Sequence, residues 1–398
     1  MDHALSGRRV TEVLLVALRL GLTSFGGPVA HLAHFERDYV QRRRWLSGEE
    51  YSGLLALCQL LPGPTSSQVG FLVGMHRAGW WGALAAWFGF TLPSALVLYL
   101  AATLQPGAHG PIGDAVAHGL KLVAVPIVAH AVLGMARQFC SGAAALALAV
   151  LSAMLALTVA GDAQWLLIVV GAAGGAWLMR DAKMPNVSSA AAIGRSVAWV
   201  ALAIYVALLI ILPLLARLYP DSDVAIAERF YRSGALVFGG GHVVLPMLRD
   251  ALVPAGWIDG AQFLTGYGLA QAVPGPMFSI AAWLGASMPV ASSPSAGAAV
   301  AVLAIFLPGL LLAVAGVPIL RWVSGRRAAA GSLAGINAAV VGLLAAALYD
   351  PIWIGAIRSP QDVMVSLLCL VMLQRLAATP VLVVLLCVGA SVATGIAG

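Results

Sequence analysis

Apolar runs broken at glycine and proline dominate the chain, and polar positions gather in short stretches between them. Residues 81–103, 120–136, 196–216 and 296–320 each read as a helix long enough, or nearly so, to cross about 30 Å of hydrocarbon. Residues 143–179 and 363–397 each read as two shorter apolar helices, turning at Gly161-Asp162 and at Thr379-Pro380. Strand alternation is absent, and lipid satisfies no unpaired backbone group, so helices are the predicted spanning element.

One phrase occurs twice, about 212 residues apart. The first copy runs from Arg19 through Phe25-Gly26-Gly27-Pro28 to Trp45 and then Gln59-Leu60-Leu61-Pro62-Gly63-Pro64. The second runs from Arg232 through Phe238-Gly239-Gly240-Gly241 to Trp257 and then Gln271-Ala272-Val273-Pro274-Gly275-Pro276. Each copy keeps an arginine six residues before its phenylalanine and a glutamine three before its first proline. Matching continues to Pro93 and Pro308, each inside a long apolar helix, and then to the two apolar hairpins.

The predicted fold is therefore an all-α polytopic membrane protein of two homologous halves, arranged as an inverted repeat with broken helices and about 10–13 membrane segments. The halves are 1–185 and 222–398, joined by a linker, 186–221, with one extra hydrophobic helix. An odd connecting helix turns the second half over. The equivalent loops 105–113 and 321–327 agree, since the second carries three arginines and the first no lysine or arginine. About thirteen crossings leave Arg42–Arg44 on the wrong side. Reading 47–76 as a re-entrant hairpin repairs that but misplaces Arg326 and Arg327.

Composition narrows the function. At 61% hydrophobic and 10% charged residues, the chain is excluded from the soluble globular class. The first apolar stretch is interrupted by Arg19 and lacks a small-residue cleavage pattern, so it does not read as a cleavable signal peptide. Net charge is +6, with basic residues at segment ends rather than on a face interleaved with aromatics, which argues against a nucleic-acid partner. Cys58, Cys140, Cys369 and Cys387 are scattered singly and form neither a disulfide framework nor a metal knuckle.

The broken segments carry the candidate chemistry. Pro28 lacks an N–H and paired glycines accept backbone conformations other residues avoid, so Phe25-Gly26-Gly27-Pro28 interrupts a helix. Unwound backbone at membrane depth is tolerated only where it is buried in protein or lines a wet cavity. A helix resuming after the break presents free N–H groups and partial positive charge to an anion. Pro62-Gly63-Pro64 does the same, followed by Thr65 and Ser66; Pro274-Gly275-Pro276 is followed by Ser279.

Arg19 and Arg232 add two cations; a charge at a helix centre costs about 2.5–3.5 kcal/mol or more, which marks a functional candidate. Arg232 lies only a few residues into its segment and has snorkelling to the interface as the alternative, whereas Arg19 is ten residues beyond Arg9. Arginine's planar fork suits an oxyanion. Lys121 is a third candidate cation, with a helix-end anchor as the equal alternative; Asn337 is a candidate contact or an interhelical hydrogen bond. His31, His34, Glu36 and Asp38 invite a metal reading, but the histidines have no counterparts in the second half, and no metal is expected. Gly239-Gly240-Gly241-His242 lacks the strand–loop–helix context of a nucleotide site, so no ATP-driven step and no cofactor is expected.

These residues resemble a known family. The N-terminal cassette with Glu49-Glu50-Tyr51, and in the second half Phe238-Gly239-Gly240-Gly241-His242 through Pro246 and Gly335-Ile336-Asn337, are similar to the two halves of the chromate ion transporter family. The resemblance covers the whole chain and implies its long, two-domain form. It further implies secondary active efflux of chromate across the bacterial inner membrane, driven by membrane potential or a proton gradient. The residues themselves lead to an anion transporter with a central symmetric site, and leave sulfate as a second cargo and a passive anion channel as alternatives. A membrane enzyme acting on lipid phosphate is disfavoured, because its candidate nucleophiles and acids lie on interfacial stretches. The expected partners are chromate and the lipid bilayer, with a homodimer left open.

Overall fold

A computed structural model describes residues 2–104, 110–158, 164–179, 193–238, 241–323, 327–376 and 378–397, and every regular element among them is helical. Helix α1 (Asp2–Thr23) stops at Ser24 and the chain doubles back as α2 (Gly27–Phe35) and a π-helical segment (Glu36–Arg42). Ion pairs show the reversal. Arg19 bonds to Asp38, and Glu12, two turns earlier, meets Arg43 at 3.3 Å. Helix α3 (Gly48–Leu60) starts from the capping box of Ser47 and Glu50, breaks at Pro62-Gly63-Pro64, and returns as the first arm of α4 (Thr65–Leu104). Arg77, at the end of that arm, bonds to Glu12 at 2.9 Å and lies over the Trp45 ring. Both hairpins thus enter and leave at one end of the molecule, and their breaks lie at its middle.

At Ala78 and Gly79 the backbone of α4 leaves helical geometry (φ 65°, ψ −154° at Gly79), and the second arm sets off across the molecule. Helix α5 (Pro111–Phe139) returns, followed by α6 (Ala143–Thr158), α7 (Gln164–Leu178) and the mostly exposed α8 (Arg195–Leu218). The second half repeats the path: α9 (Asp223–Ala235), α10 (Val244–Leu252), α11 (Gly260–Ala272), a break at Pro274-Gly275-Pro276, α12 (Ile280–Ala286), α13 (Pro294–Val323) and α14 (Arg327–Ala347). A single turn, α15 (Ile354–Ala356), precedes α16 (Pro360–Arg375) and α17 (Pro380–Ala397). Its hairpins are tied at their outer ends too: Arg229 lies 4.3 Å over Trp257, and Asp223 accepts from the Ser292 N–H.

Five helices among the described residues are long and apolar enough to cross a membrane, those at 65–104, 111–139, 195–218, 294–316 and 328–356; four shorter apolar helices accompany them. The re-entrant alternative for 47–76 is the one the structure adopts, and it applies equally to α1–α2. With both hairpins returning, Arg42–Arg44 and Arg77 share an end with Arg137, Arg327 and Arg375 among the described residues. Five apolar helical arms, the second arm of α4, α5, α8 and the shorter α6 and α7, separate the hairpins of the first half from α9, and an odd number of arms turns the second half over.

Small residues set the closest approaches, as expected where lipid removes the hydrophobic drive between helices. A Cβ at Gly21 would stand 2.6 Å from the Phe90 carbonyl oxygen, and one at Gly234 would stand 2.2 Å from that of Ile305. Glycine alone therefore lets α1 lie along α4 and α9 along α13. The halves also exchange elements: α14 of the second half packs on α6 and α7 of the first, while α5 of the first packs on α16 and α17 of the second.

Candidate functional site

The four hairpin tips converge and bond to one another reciprocally. The Gly63 N–H donates to the Val237 carbonyl at 2.7 Å, and the Gly275 N–H donates to the Ser24 carbonyl at 3.1 Å. Each Pro-Gly-Pro break therefore closes on the Phe-Gly-Gly break of the other half. Gly63 and Gly275 have φ values of 119° and 111°, conformations costly for residues with a side chain. A Cβ at Gly63 would stand 2.8 Å from Gly309 Cα, and one at Gly275 would stand 2.7 Å from Ser94 Oγ.

Side chains brace this crossing from both halves. Gln68 Nε2 donates to the Pro62 and Gly309 carbonyls, both at 2.9 Å, and the Ser94 and Ser279 hydroxyls bond at 2.7 Å. His31 contacts the Ser24 carbonyl at 3.2 Å through Nε2 and Ser66 Oγ at 3.4 Å through Nδ1. Between the α1–α2 tip and the Pro-Gly-Pro break after α11 is a cavity of about 20 Å³, lined by Ser24, Gly26, Gly27, His31, Gln271 and Gly275 among others. The Ser24 and Ser67 hydroxyls and Gln68 Oε1 are buried without a hydrogen-bond partner. Leaving such groups unpaired costs about 1–3 kcal/mol each. The first N–H groups of α2 and of α4 lack helical acceptors, adding donors to the same tips.

A second, wider pocket of about 570 Å³ opens on the outer face of the α1–α2 hairpin, lined by Arg19, His34, Arg37, Asp38 and Arg42 among others. Asp38, with only 6% of its side chain exposed, holds Arg19, Arg43 at 3.2 Å and Arg42 at 3.9 Å; Arg19 keeps 43% of its side chain exposed to the pocket.

The sequence-predicted residues divide among these places. Gly26, Gly27, Pro62, Gly63, Pro64, Ser66, Gln271, Gly275, Pro276 and Ser279 meet at or beside the crossing, with Thr65 and Pro274 half-buried next to it. Phe25 and Gln59 are exposed, so Gln59 does not share the buried position of its counterpart Gln271, whose amide lies 3.5 Å from Met277 Sδ. Phe238 is half-buried; Gly239, Gly240 and the His242 side chain lie outside the described residues. Arg232 pairs with Glu228 at 3.0 Å rather than standing alone. Lys121 lies on α5 within electrostatic reach of Arg358, Asp259 and Asp114, and Asn337 is buried on α14. Among the described residues, no group of three histidine, cysteine or acidic side chains is placed to hold a metal.

Ser24 and Ser94 were not legible as site residues in the sequence, whereas Gln68 stands in the run Thr65-Ser66-Ser67-Gln68 that opens the resumed helix. Sequence reasoning also missed Arg37-Asp38, which recurs as Arg249-Asp250 at the same spacing as the cassettes. In the second half Arg249 meets Asp250 at 3.3 Å and Asp350 at 3.7 Å.

A membrane protein of two repeated halves that meet at broken helices has the architecture of a transporter. The sequence profile described as Chromate transporter matches residues 11–177 and 224–392, and the chain belongs to that family. It is 28% identical over 350 residues to a chromate transport protein of Pseudomonas aeruginosa, covering 86% of this chain and 81% of that one. It is 27% identical over 383 residues to a chromate transport protein of Cupriavidus metallidurans, covering 93% and 88%. A probable chromate transport protein of Synechococcus elongatus is 28% identical over 339 residues, covering 83% and 81%. No solved structure matches the chain.

Proposed function

We propose that the protein carries chromate out of the bacterial cytoplasm across the inner membrane, as a secondary transporter driven by the membrane potential. The observation that carries this reading is the reciprocal pair of tip hydrogen bonds, with a polar cavity beside the Gly275–Ser24 one. The cavity of about 20 Å³ has room for about one water and none for a tetrahedral oxyanion, so the tips must part to bind cargo. A net hydrogen bond contributes about 0.5–1.5 kcal/mol, so either latch breaks at a cost a bound anion can offset. Parting Gly275 from Ser24 while Gly63 stays on Val237 would open the cavity, and the reverse would open the crossing at the other pair of tips. Ser24, the α2 and α4 N–H groups and His31 would then face the anion.

The arginine-rich end, with Arg43, Arg77, Arg137, Arg327 and Arg375, is assigned to the cytoplasm, and the end with Asp114, Asp223, Asp259 and Asp362 to the periplasm. Labelled chromate and labelled sulfate, offered separately to inverted vesicles, test the reading: chromate should accumulate when the lumen is made positive. Vesicles from expressing cells that take up no more chromate than controls would overturn it. Trans-acceleration of labelled chromate by unlabelled anion is expected of a carrier and not of a channel.

Arg19→Gln is expected to abolish oxyanion transport with the protein still inserted, and Arg232→Gln to weaken it similarly. Normal chromate resistance in cells carrying well-expressed Arg19→Gln would remove that arginine from the pathway. Asp38→Asn should lower stability by about 1.5–3 kcal/mol, the usual worth of charged hydrogen bonds, because three arginines lose their shared carboxylate. A lower unfolding temperature in lipid nanodiscs would register the loss.

A further inference from the structure

The two outer ends of the inverted repeat carry equivalent residues but different charge. On the α1–α2 hairpin, Arg19, Arg37 and Arg42 face a pocket of about 570 Å³ against one carboxylate, Asp38. Arg37 has no ion-pair partner among the described residues, and 65% of the Arg42 side chain is exposed. At the corresponding place in the second half, Arg232 and Arg249 stand with Glu228, Asp250 and Asp350. One vestibule has surplus positive charge; the other is neutralised.

We propose that the α1–α2 pocket is an outer oxyanion site, distinct from the cavity between the tips, which captures a tetrahedral dianion before it reaches the centre. The inference rests on the transport reading and deepens it. Arg37 and Arg42 are its ligands, and Asp38 is the counter-ion from which an arriving anion draws Arg42. Depth supports the order of events. Arg42 lies near the outer end of the hairpin, Arg37 and Arg19 further in, and His34 about one turn before the His31 and Gly26 level of the tips. Surplus charge in a solvated concave pocket with low-dielectric walls raises local anion concentration and on-rate by about 10–10³-fold, and salt screens the effect. Because the opposite vestibule lacks that surplus, capture is one-sided, which favours loading from the arginine-rich end.

The test is equilibrium binding of labelled chromate to the full-length protein in nanodiscs, at low and high sodium chloride, beside vesicle transport. The wild type should show two classes of site, the weaker one lost at high salt. Arg37→Gln with Arg42→Gln should remove only the weaker class and raise the half-saturating chromate concentration for transport about tenfold at low salt. Arg37→Lys with Arg42→Lys should restore part of it. Both arginines are exposed and Asp38 retains Arg19 and Arg43, so the double variant is expected to fold. A single salt-insensitive class in the wild type, or an unchanged weak class in the glutamine variant, would overturn the outer site while leaving transport standing. Two classes of which the weak one needs the arginines, in a protein that moves no chromate, would sink the transport reading and keep the site.

Discussion

Gly63→Ala is expected to abolish transport, lowering chromate flux at least tenfold in vesicles while the protein still inserts and purifies. The cause is local and twofold. At φ 119° a residue with a side chain bears strain of about 1–3 kcal/mol. The added Cβ would also stand 2.8 Å from Gly309 Cα, which is backbone of α13 and cannot rotate away. The tip must withdraw, and the Gly63 N–H then loses the Val237 carbonyl.

Gly275→Ala makes an instructive contrast, because its Cβ would meet the Ser94 side chain, with Oγ at 2.7 Å and Cβ at 3.0 Å. Ser94→Gly should therefore recover part of the flux lost in Gly275→Ala, whereas Gly309 has no side chain to remove in rescue of Gly63→Ala. Pro64→Ala should be milder than either, since Gly63 still permits the break. Wild-type flux in Gly63→Ala would reduce the cassettes to simple kinks.

The repeat was legible because its signals are backbone signals: glycine and proline break helices wherever they stand, and two matching sets at one spacing are hard to produce otherwise. The hairpin nature of α1–α2 and α3–α4 was less legible. A 13-residue apolar helix such as α3 has the same hydropathy whether it crosses half the membrane and returns or continues beyond a kink. Ties at the outer ends such as Glu12 to Arg43 and Arg77 distinguish the two, and these join residues far apart in sequence. The exchange of α5 and α14 between halves leaves no periodic trace either, because small residues such as Gly171 and Gly335 pack there without an amphipathic stripe. Gln59 and Gln271 show the limit of repeat logic: they share a motif, yet one is exposed and the other buried, so homology of position does not ensure likeness of environment.

Transport should also respond steeply to voltage. Moving one elementary charge through 100 mV is worth about 2.3 kcal/mol, so a dianion leaving a cell with a negative interior gains about 4.6 kcal/mol per 100 mV. That gain corresponds to an equilibrium accumulation ratio of about 10³–10⁴. In inverted vesicles, a potassium diffusion potential of about 100 mV, lumen positive, should therefore drive chromate inward far beyond its external concentration. The sign and slope identify the coupling. Chromate moving alone gives two charges per anion; chromate exchanged for one divalent anion gives none, and chromate moving with a single proton gives one. Reversing the potential should empty preloaded vesicles through the same sites, because the tip latches are reciprocal and neither commits the cycle to a direction. An outer site at the arginine-rich end would change how readily each face loads, but not the final ratio, since binding on the way to the centre leaves the free energies of the two bulk solutions untouched. A ratio that shifts in Arg37→Gln with Arg42→Gln would mean that these arginines alter the coupling stoichiometry itself; a ratio unchanged while the half-saturating concentration rises would keep them as capture residues.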